Sequence, residues 1–480
     1  MESDRRSAMT RRTLMRLAAA ALPAGVVRAA QPAGPVMTLL SSYMSEARER
    51  PLPAEVIEKV KHHILDTFAA MISGSELAPG RSAIQFARAY GGGTIATVAA
   101  SNVLCGPIEA ALANGVMAHA DETDDSWPGG WHPGCNVVPA ALATGEQFGI
   151  GGMHFMRAVA LGYDVGARVL ITLRPGVSDT HKSTHSIAGV FGAAAAAGCA
   201  AKLNAQQMRW LLDYTAQQSS GIAAWDRDTD HIEKGFVFGG MPARSGVTSA
   251  LLVQAGWNGI DDVLSGDDNF LLANAPHSDE KALIDKLGER YEITPTSIKK
   301  WTVGSPIQGP LDALEIMFKK HSFEADQVKE VVVRMSPGSV VDNREMPDVC
   351  IQHMIAIMLI DKTATFRSAH DKPRMQDPVV LRQRAKVRLD PGSGEGRSGG
   401  GRQPLVVVTL MDGTRLAEDV TAVLGTVNNP MTREQVVSKC RDLMTPVLGA
   451  AATGKIIERT LDLEKMQSIR ELRPLLQRGS

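Results

Sequence analysis

Three short segments combine residue types that can transfer protons and hold an anion. The first is an acidic loop, His119–Ser126, followed closely by a His-Pro-Gly triplet at 132–134. The second, His181–Ser186, directly precedes an alanine-rich run, and the third, Glu233–Gly246, places a lysine and an arginine around glycines. Histidine can act as acid or base near neutral pH, whereas lysine and arginine neutralise carboxylates. These segments are the candidate site.

Each segment also has a structural interpretation. The four carboxylates within 121–125 repel one another, which predicts a solvated loop, or one where cations or substrate hydroxyls meet them. The second segment predicts either helix capping by Thr184 or Ser186, or an anion held at a helix N-terminus. The third predicts solvated charges, or a glycine-rich turn that lets the backbone approach a ligand.

Several other kinds of site do not fit the sequence. The five cysteines form no CxxC motif, which argues against a zinc ribbon and favours buried, inert thiols. The acids at 121–125 lack the spacing of a calcium loop, although a His/Asp metal site stays an alternative there. Lysine and arginine number 51 against 52 acidic residues, so bulk charge favours neither nucleic acid nor an anionic membrane. We expect no metal and no cofactor.

Hydrophobic periodicity predicts a mainly α protein with a smaller α+β part. The 480 residues are 44% hydrophobic and can bury a large core. Residues 36–285 show helical apolar spacing, and the all-apolar Ile187–Ala201 predicts a buried central helix. Further along, β-branched runs and an Asp412-Gly413 turn predict a small sheet with a hairpin, covered by two helices.

These patterns divide the chain into four regions. We expect a signal and linker over 1–35, a large all-α domain over 36–285, an inserted α+β lid domain over 286–428, and helices over 429–480 that return to the helical domain. A twin-arginine-like segment at 10–16 and an apolar run at 17–27 are typical of an export signal, too short to span a bilayer. We therefore expect a periplasmic protein without a membrane span; a cytoplasmic protein with an unprocessed extension is the alternative.

In this order, the three segments resemble motifs of the MmgE/PrpD family, which includes 2-methylcitrate dehydratase, cis-aconitate decarboxylase and iminodisuccinate epimerase. The family has an H-A-x-D-x-D-D-T loop followed by H-P-[SG], a His/Thr-rich loop entering an F-G-A-A-A-A helix, and a lysine before an A-x-x-G helix. Here these patterns fall at 119–134, 185–197 and 234–259. The resemblance covers about residues 37–465 and implies a helical domain with an α+β lid, usually as a homodimer.

The resemblance implies a cofactor-free lyase that makes or unmakes a carbanion next to a carboxylate of a small hydroxy- or unsaturated di- or tricarboxylate. In the second loop the family histidine falls near His185, and an alternative alignment on Ser183 leaves His181 or His185 as a substitute nearby. The implied catalytic residues are His132, His185 and Lys234, and the implied substrate-binding residues are Glu122, Asp124, Asp125, Ser126, Arg244, Lys300 and Gln308.

One position departs from the family pattern. The family carries a histidine four residues before an Asp-Ala pair on the lid, whereas Gln308 precedes Asp312-Ala313 here. Glutamine does not titrate, so an acid or base is missing from that place. Three functions therefore stay possible: a lyase such as a dehydratase or decarboxylase, an epimerase or isomerase of a small dicarboxylate, and an exported non-catalytic carboxylate-binding protein.

Overall fold

The computed structural model describes residues 32–177, 181–391 and 405–478. The predicted export signal at 10–30 lies outside the described residues. Within them, the chain is mainly helical with one four-stranded sheet, which confirms the predicted fold class.

The helices have the following bounds in chain order: α1 Pro35–Glu46, α2 Ala54–Gly74, α3 Ala78–Tyr90, α4 Pro107–Ala118, α5 Gly134–Phe148, α6 Gly152–Val177, α7 Thr184–Ala200, α8 Ala205–Gln218, α9 Ile232–Gly235, α10 Met241–Gln254, α11 Phe270–Asn274, α12 Ser305–Lys320, α13 Ile351–Asp361, α14 Phe366–Ala369, α15 Pro378–Arg384, α16 Arg433–Leu448, α17 Ala450–Leu461 and α18 Arg473–Leu476. The strands are β1 Ala96–Thr97, β2 Leu104–Cys105, β3 Val328–Arg334, β4 Val387–Asp390, β5 Leu405–Leu410 and β6 Arg415–Asp419.

A helical core surrounds α7. This helix is buried along almost its whole length and packs against α5, α6, α8 and α10. Small side chains allow this close approach: a Cβ on Gly246 of α10 would lie 2.4 Å from the backbone nitrogen of Ala194. The structure thus confirms the predicted central helix, and the C-terminal helices α16 and α17 join the same core by packing on α2.

A second hydrophobic core belongs to the α+β part. Its sheet has the order β4-β3-β5-β6, with β3 and β4 parallel and the other pairs antiparallel. Helices α12 and α13 pack on this sheet, and its buried valines alternate along β3. The predicted hairpin is confirmed: β5 and β6 are joined at Gly413, whose φ of +91° favours glycine.

The boundary between the two cores differs from the expected one. Tyr291, Ile293 and Ile298 belong to the helical core, whereas the second core begins at Trp301 rather than at residue 286. The region expected to be all-α also contains the short β1–β2 pair. Periodicity did not reveal these features because the segments concerned are too short to show it.

One helical stretch, Ile232–Gln254, is long and apolar enough to cross a membrane by length and composition. In the protein, 72% of its apolar window is buried. Burial of this kind is typical of the central helix of a folded domain, and α10 accordingly packs on α7.

Candidate functional site

A cavity of about 570 Å³ is lined by residues of both the helical and the α+β parts. Its volume suits a small organic ligand, since such sites span about 300–1,000 Å³. Of the residues expected at the site, the cavity brings together Glu122, Ser126, His132, His185, Lys234 and Gln308.

The acidic loop beside this cavity is buried, so the interpretation as a solvated loop is wrong. The carboxylate residues at 121–125 are at most 4% exposed. Burial is possible because each carboxylate has partners that offset its charge or donate hydrogen bonds. Asp121 lies 3.0 Å from His370, and Glu122 pairs with Lys234 and Lys299. Asp124 pairs with His119 and His132. Asp125 pairs with His63 and accepts a hydrogen bond from Tyr163.

Glu122 joins two lysines in the cavity wall. The Nζ of Lys234 binds Oε1 of Glu122, and the Nζ of Lys299 donates to Oε2 at 3.1 Å and to the backbone oxygen at 2.9 Å. Burial raises the pKa of Glu122, but Lys234 and then Lys299 outweigh it and hold the pKa well below its usual value. Because Glu122 stays ionised, the three groups together leave one positive charge, which Asp124, 3.8 Å from the Nζ of Lys299, partly offsets.

Asp124 holds two imidazoles from behind the wall. It accepts hydrogen bonds from Nδ1 of His119 at 3.0 Å and Nδ1 of His132 at 3.2 Å. Burial raises the pKa of Asp124, but His119 and His132 hold it well below its usual value. An imidazole that donates from Nδ1 carries its lone pair on Nε2. His132 lines the cavity, so its Nε2 is the atom placed to accept a proton from a ligand.

His185 lies across an aromatic contact from this pair. Its ring stacks on Phe238 with centroids 4.0 Å apart, and its centroid is 5.7 Å from that of His132. Burial lowers the pKa of His185 well below its usual value, so the ring is neutral at neutral pH. Its Nδ1 is buried without a hydrogen-bond partner among the described residues. Helix α7 is capped by Ser183, not by Thr184 or Ser186, which leaves His185 at the second helical position.

The expected glycine-rich turn is a π-helical turn, Phe236–Gly240, that joins α9 to α10. It follows Lys234 directly and carries Phe238, so it places both side chains in the cavity wall. A Cβ on Gly239 would lie 2.0 Å from the backbone oxygen of Gly115. These glycines therefore serve the close approach of α4, and π-helical turns are frequent at functional sites.

Comparison with known proteins identifies the family of this chain. The MmgE/PrpD N-terminal domain matches residues 38–281, and the MmgE/PrpD C-terminal domain matches residues 301–463. The chain belongs to the MmgE/PrpD family. The second match begins at residue 301, where the second core also begins.

Three curated relatives of this MmgE/PrpD protein are named as cis-aconitate decarboxylase or as similar to it. A cis-aconitate decarboxylase-like protein of Aspergillus oryzae is 23% identical, covering 93% of this chain and 98% of the relative. Cis-aconitate decarboxylase of Homo sapiens is 24% identical, covering 88% and 91%. That of Mus musculus is 24% identical, covering 88% and 89%. These relatives are enzymes and support a lyase-type family member.

Four residues expected to bind substrate do not line the cavity of this family member. Arg244 is exposed on α10 and does not line the cavity. Lys300 points away, pairing with Glu315 at 2.7 Å. Asp125 is buried, where it accepts hydrogen bonds from Tyr163 at 2.6 Å and from the Gly134 backbone at 2.8 Å. These contacts fix the turn that carries His132. Asp124 contacts His132 and does not line the cavity either.

Gln308 lines the cavity, but its side-chain amide forms hydrogen bonds with backbone atoms. Its Nε2 donates to the oxygens of Trp301 at 2.7 Å and Val303 at 2.8 Å, and its Oε1 accepts from the Trp301 nitrogen at 3.0 Å. The side chain therefore fixes the loop before α12. The expected substrate contact is replaced by a structural one, because the amide offers the donors and acceptor that this loop lacks.

Several site residues were not selected from the sequence. Lys299 stands beside Lys300 in a lysine doublet, and only one of the two side chains turns inward. His119 opens the acidic motif but was not assigned a role. Trp225, Phe238 and Arg344 line the cavity without a motif of their own. Two sequence features point to such residues: the lysine doublet at 299–300, and the position of His119 at the start of the acidic motif.

The same histidines could also hold a metal ion. One atom from each of His119, Asp124 and His132 lies within 4.8 Å of the others. Two imidazoles and a carboxylate are a donor set suited to zinc or iron. A bound ion would have to replace both hydrogen bonds to Asp124, which already satisfy that carboxylate. The expected absence of a metal stays a prediction.

Two further pairs connect the acidic motif and the helical part to the α+β part. Nε2 of His231 lies 3.0 Å from Asp348, and Nε2 of His370 lies 3.0 Å from Asp121. Burial raises the pKa of Asp348, but the charge of His231 outweighs it and lowers the pKa. Burial lowers the pKa of His370, but the nearby Asp121 carboxylate outweighs it and raises the pKa. Both pairs stabilise contact between the two cores.

The site predicts a loss of stability in mild acid. Burial lowers the pKa of His119 from 6.5 to about 4, so between these values the unfolded chain binds more protons than the folded one. Stability due to His119 is therefore lost as the pH falls from 6.5 towards 4, by up to about 1.4 kcal/mol per pH unit. His370, with its raised pKa, acts in the opposite direction.

Urea unfolding of the wild type and of His119→Gln at pH 7, 6 and 5 isolates this contribution. The variant is expected to lose less stability over this range than the wild type, whatever its stability at pH 7. Parallel curves for the two proteins would show that His119 does not resist protonation in the folded state.

Proposed function

We propose that this MmgE/PrpD protein is a lyase-type enzyme, such as a dehydratase, that removes a proton next to a carboxylate of a small hydroxy- or unsaturated di- or tricarboxylate. One observation carries the proposal: His132, held by Asp124, shares a cavity with the Lys234–Glu122–Lys299 group. A base and a cationic group in one pocket are what the formation of a carbanion beside a carboxylate requires. The names of the relatives support the same class.

The geometry assigns a role to each group. Nε2 of His132 takes the proton, and Asp124 stabilises the imidazolium that forms, as a buried carboxylate does for a catalytic histidine. Lys234 and Lys299 bind the substrate carboxylate and offset the charge that develops on it. His185 faces the same space as a neutral imidazole, because burial lowers its pKa. The proton that the leaving group takes up comes from the His132 imidazolium.

Gln308 favours epimerisation as a second candidate. Its amide is held by the backbone of Trp301 and Val303 and supplies no proton. An epimerase removes a proton and returns it, so it needs no acid for a leaving group. The two histidines at 132 and 185 are sufficient for such a reaction.

Solvent exchange tests the proposal. The full chain, dialysed against EDTA, is incubated in D₂O with separate solutions of cis-aconitate, citrate, malate and 2-methylcitrate, and the acids are followed by NMR. Deuterium at the carbon beside a carboxylate, with loss of water or carbon dioxide, is expected. Exchange without elimination identifies an epimerase. Binding without exchange overturns catalysis and leaves a carboxylate-binding protein, and activity restored only by added zinc or iron would establish the metal site.

The periplasmic location and the homodimer also stay proposals. We propose that the first thirty residues direct export and are removed by cleavage near Ala29 and Ala30, as the twin-arginine-like pattern predicts. Mass spectrometry of the mature N-terminus tests the first proposal and light scattering tests the second.

A further inference from the structure

The cavity is larger than a small tricarboxylate needs. At about 570 Å³ it falls within the range of about 300–1,000 Å³ that holds drug-sized ligands. A ligand confined to the lysines and histidines would occupy part of this volume and leave the rest to water.

An apolar part of the cavity lining comes from the α+β part. The segments 340–349 and 421–428 contribute mainly aliphatic side chains, among them Val340, Val341, Val349, Val423 and Val427. Val340 is 46% exposed and Val427 is 52% exposed, although both line the cavity. Large apolar side chains left in water are a cost that a ligand covering them would remove.

The charge of the cavity lining suits a ligand that carries few carboxylate groups. The lining carries three permanent cations, Lys234, Lys299 and Arg344, against the two anions Glu122 and Asp226. Each cation already has a partner: both lysines bind Glu122, and Arg344 binds Asp226 at 3.2 Å. The excess is one positive charge, and the fully buried Asp124 stands behind the same wall. This excess offsets one carboxylate, and each further carboxylate on a ligand adds a charge that the lining does not offset, which makes a trianion the most costly ligand.

We propose that the substrate has at most two carboxylates and a bulky apolar substituent. Its carboxylate lies against Lys234 and Lys299, and its apolar group lies against the valines of segments 340–349 and 421–428. This inference rests on the proposed function and narrows its substrate class away from tricarboxylates.

Calorimetric titration of the full chain with three probes tests the substrate class. Succinate supplies the head group alone, 2-benzylsuccinate adds an apolar substituent to the same head group, and citrate is the tricarboxylate. We expect 2-benzylsuccinate to bind at least tenfold more tightly than succinate and more tightly than citrate. Equal binding of succinate and 2-benzylsuccinate, or tightest binding of citrate, would overturn the inference.

Variants locate the apolar group and separate the two proposals. In Val340→Thr/Val427→Thr the advantage of 2-benzylsuccinate over succinate should fall at least threefold, because threonine keeps the shape but not the apolar contact. Val379→Thr is the matched control, since Val379 is also 46% exposed but does not line the cavity. Lys234→Met should weaken both dicarboxylates alike. If it weakens neither, the carboxylate site of the proposed function fails; if the valine variant alone has no effect, only the apolar placement fails.

Discussion

Replacing His132 by glutamine should lower kcat by about 10²–10⁴-fold, the usual contribution of a positioned acid or base. Glutamine retains a polar side chain able to reach Asp124 but has no titratable nitrogen to take the substrate proton. Deuterium exchange beside the carboxylate should fall by the same factor as elimination, because both pass through the carbanion. KM should change little, since the lysines still bind the carboxylate.

Two companion variants show whether the effect is chemical. Asp124→Asn should lower kcat without raising KM, because an amide does not stabilise the His132 imidazolium or fix its tautomer. His154→Gln is the control, because His154 is half-buried and forms a hydrogen bond with the backbone oxygen of Cys199 outside the cavity. The activity of this variant should equal that of the wild type. Full turnover in His132→Gln would refute the assignment and leave His185 as the base.

Substitution of Lys299 should have a large effect on stability and KM, whereas substitution of the adjacent Lys300 should have almost none. Lys299→Met removes a buried partner of Glu122, which is expected to cost about 3–5 kcal/mol of stability and to raise KM at least tenfold. Lys300→Met breaks a pair with Glu315 in which the side chains are 22% and 30% exposed. Such a pair contributes about 0–1 kcal/mol, so stability and KM should stay close to those of the wild type.

Urea unfolding and steady-state kinetics measure both lysine variants. In Lys299→Met/Glu122→Gln the buried carboxylate is removed as well, so part of the stability should return while KM stays high. This separates the binding of substrate from the integrity of the fold. Equal effects of the two single substitutions would mean that Lys299 does not contact the substrate.

Much of the fold followed from local patterns. The all-apolar run that became α7, the four β-branched strands and the turn at Gly413 were all predicted, since periodicity and turn chemistry are set by neighbours in the chain. The boundary at Trp301 was not, because Tyr291 and Ile293 join the helical core through contacts distant in sequence.

Sequence patterns likewise do not predict which contacts a single side chain of the site makes. Asp124 and Asp125 are neighbours of one type, yet the first holds His119 and His132 and the second holds His63 and Tyr163. Nothing in the motif distinguishes them, because these partners come from separate segments. Lys439 of α16 similarly holds the backbone oxygen of Thr123 at 3.0 Å from more than three hundred residues away.

The amino-acid sequence alone determined the family, the helical and α+β parts, and the segments that carry His132, His185 and Lys234. The tertiary structure decided which members of those segments face the cavity: Lys299 rather than Lys300, with Arg244 left in solvent. The reason is physical. Motif spacing fixes residue type and order along the chain, whereas the direction of a side chain in an irregular loop depends on the buried partner that neutralises it, and that partner comes from a distant segment.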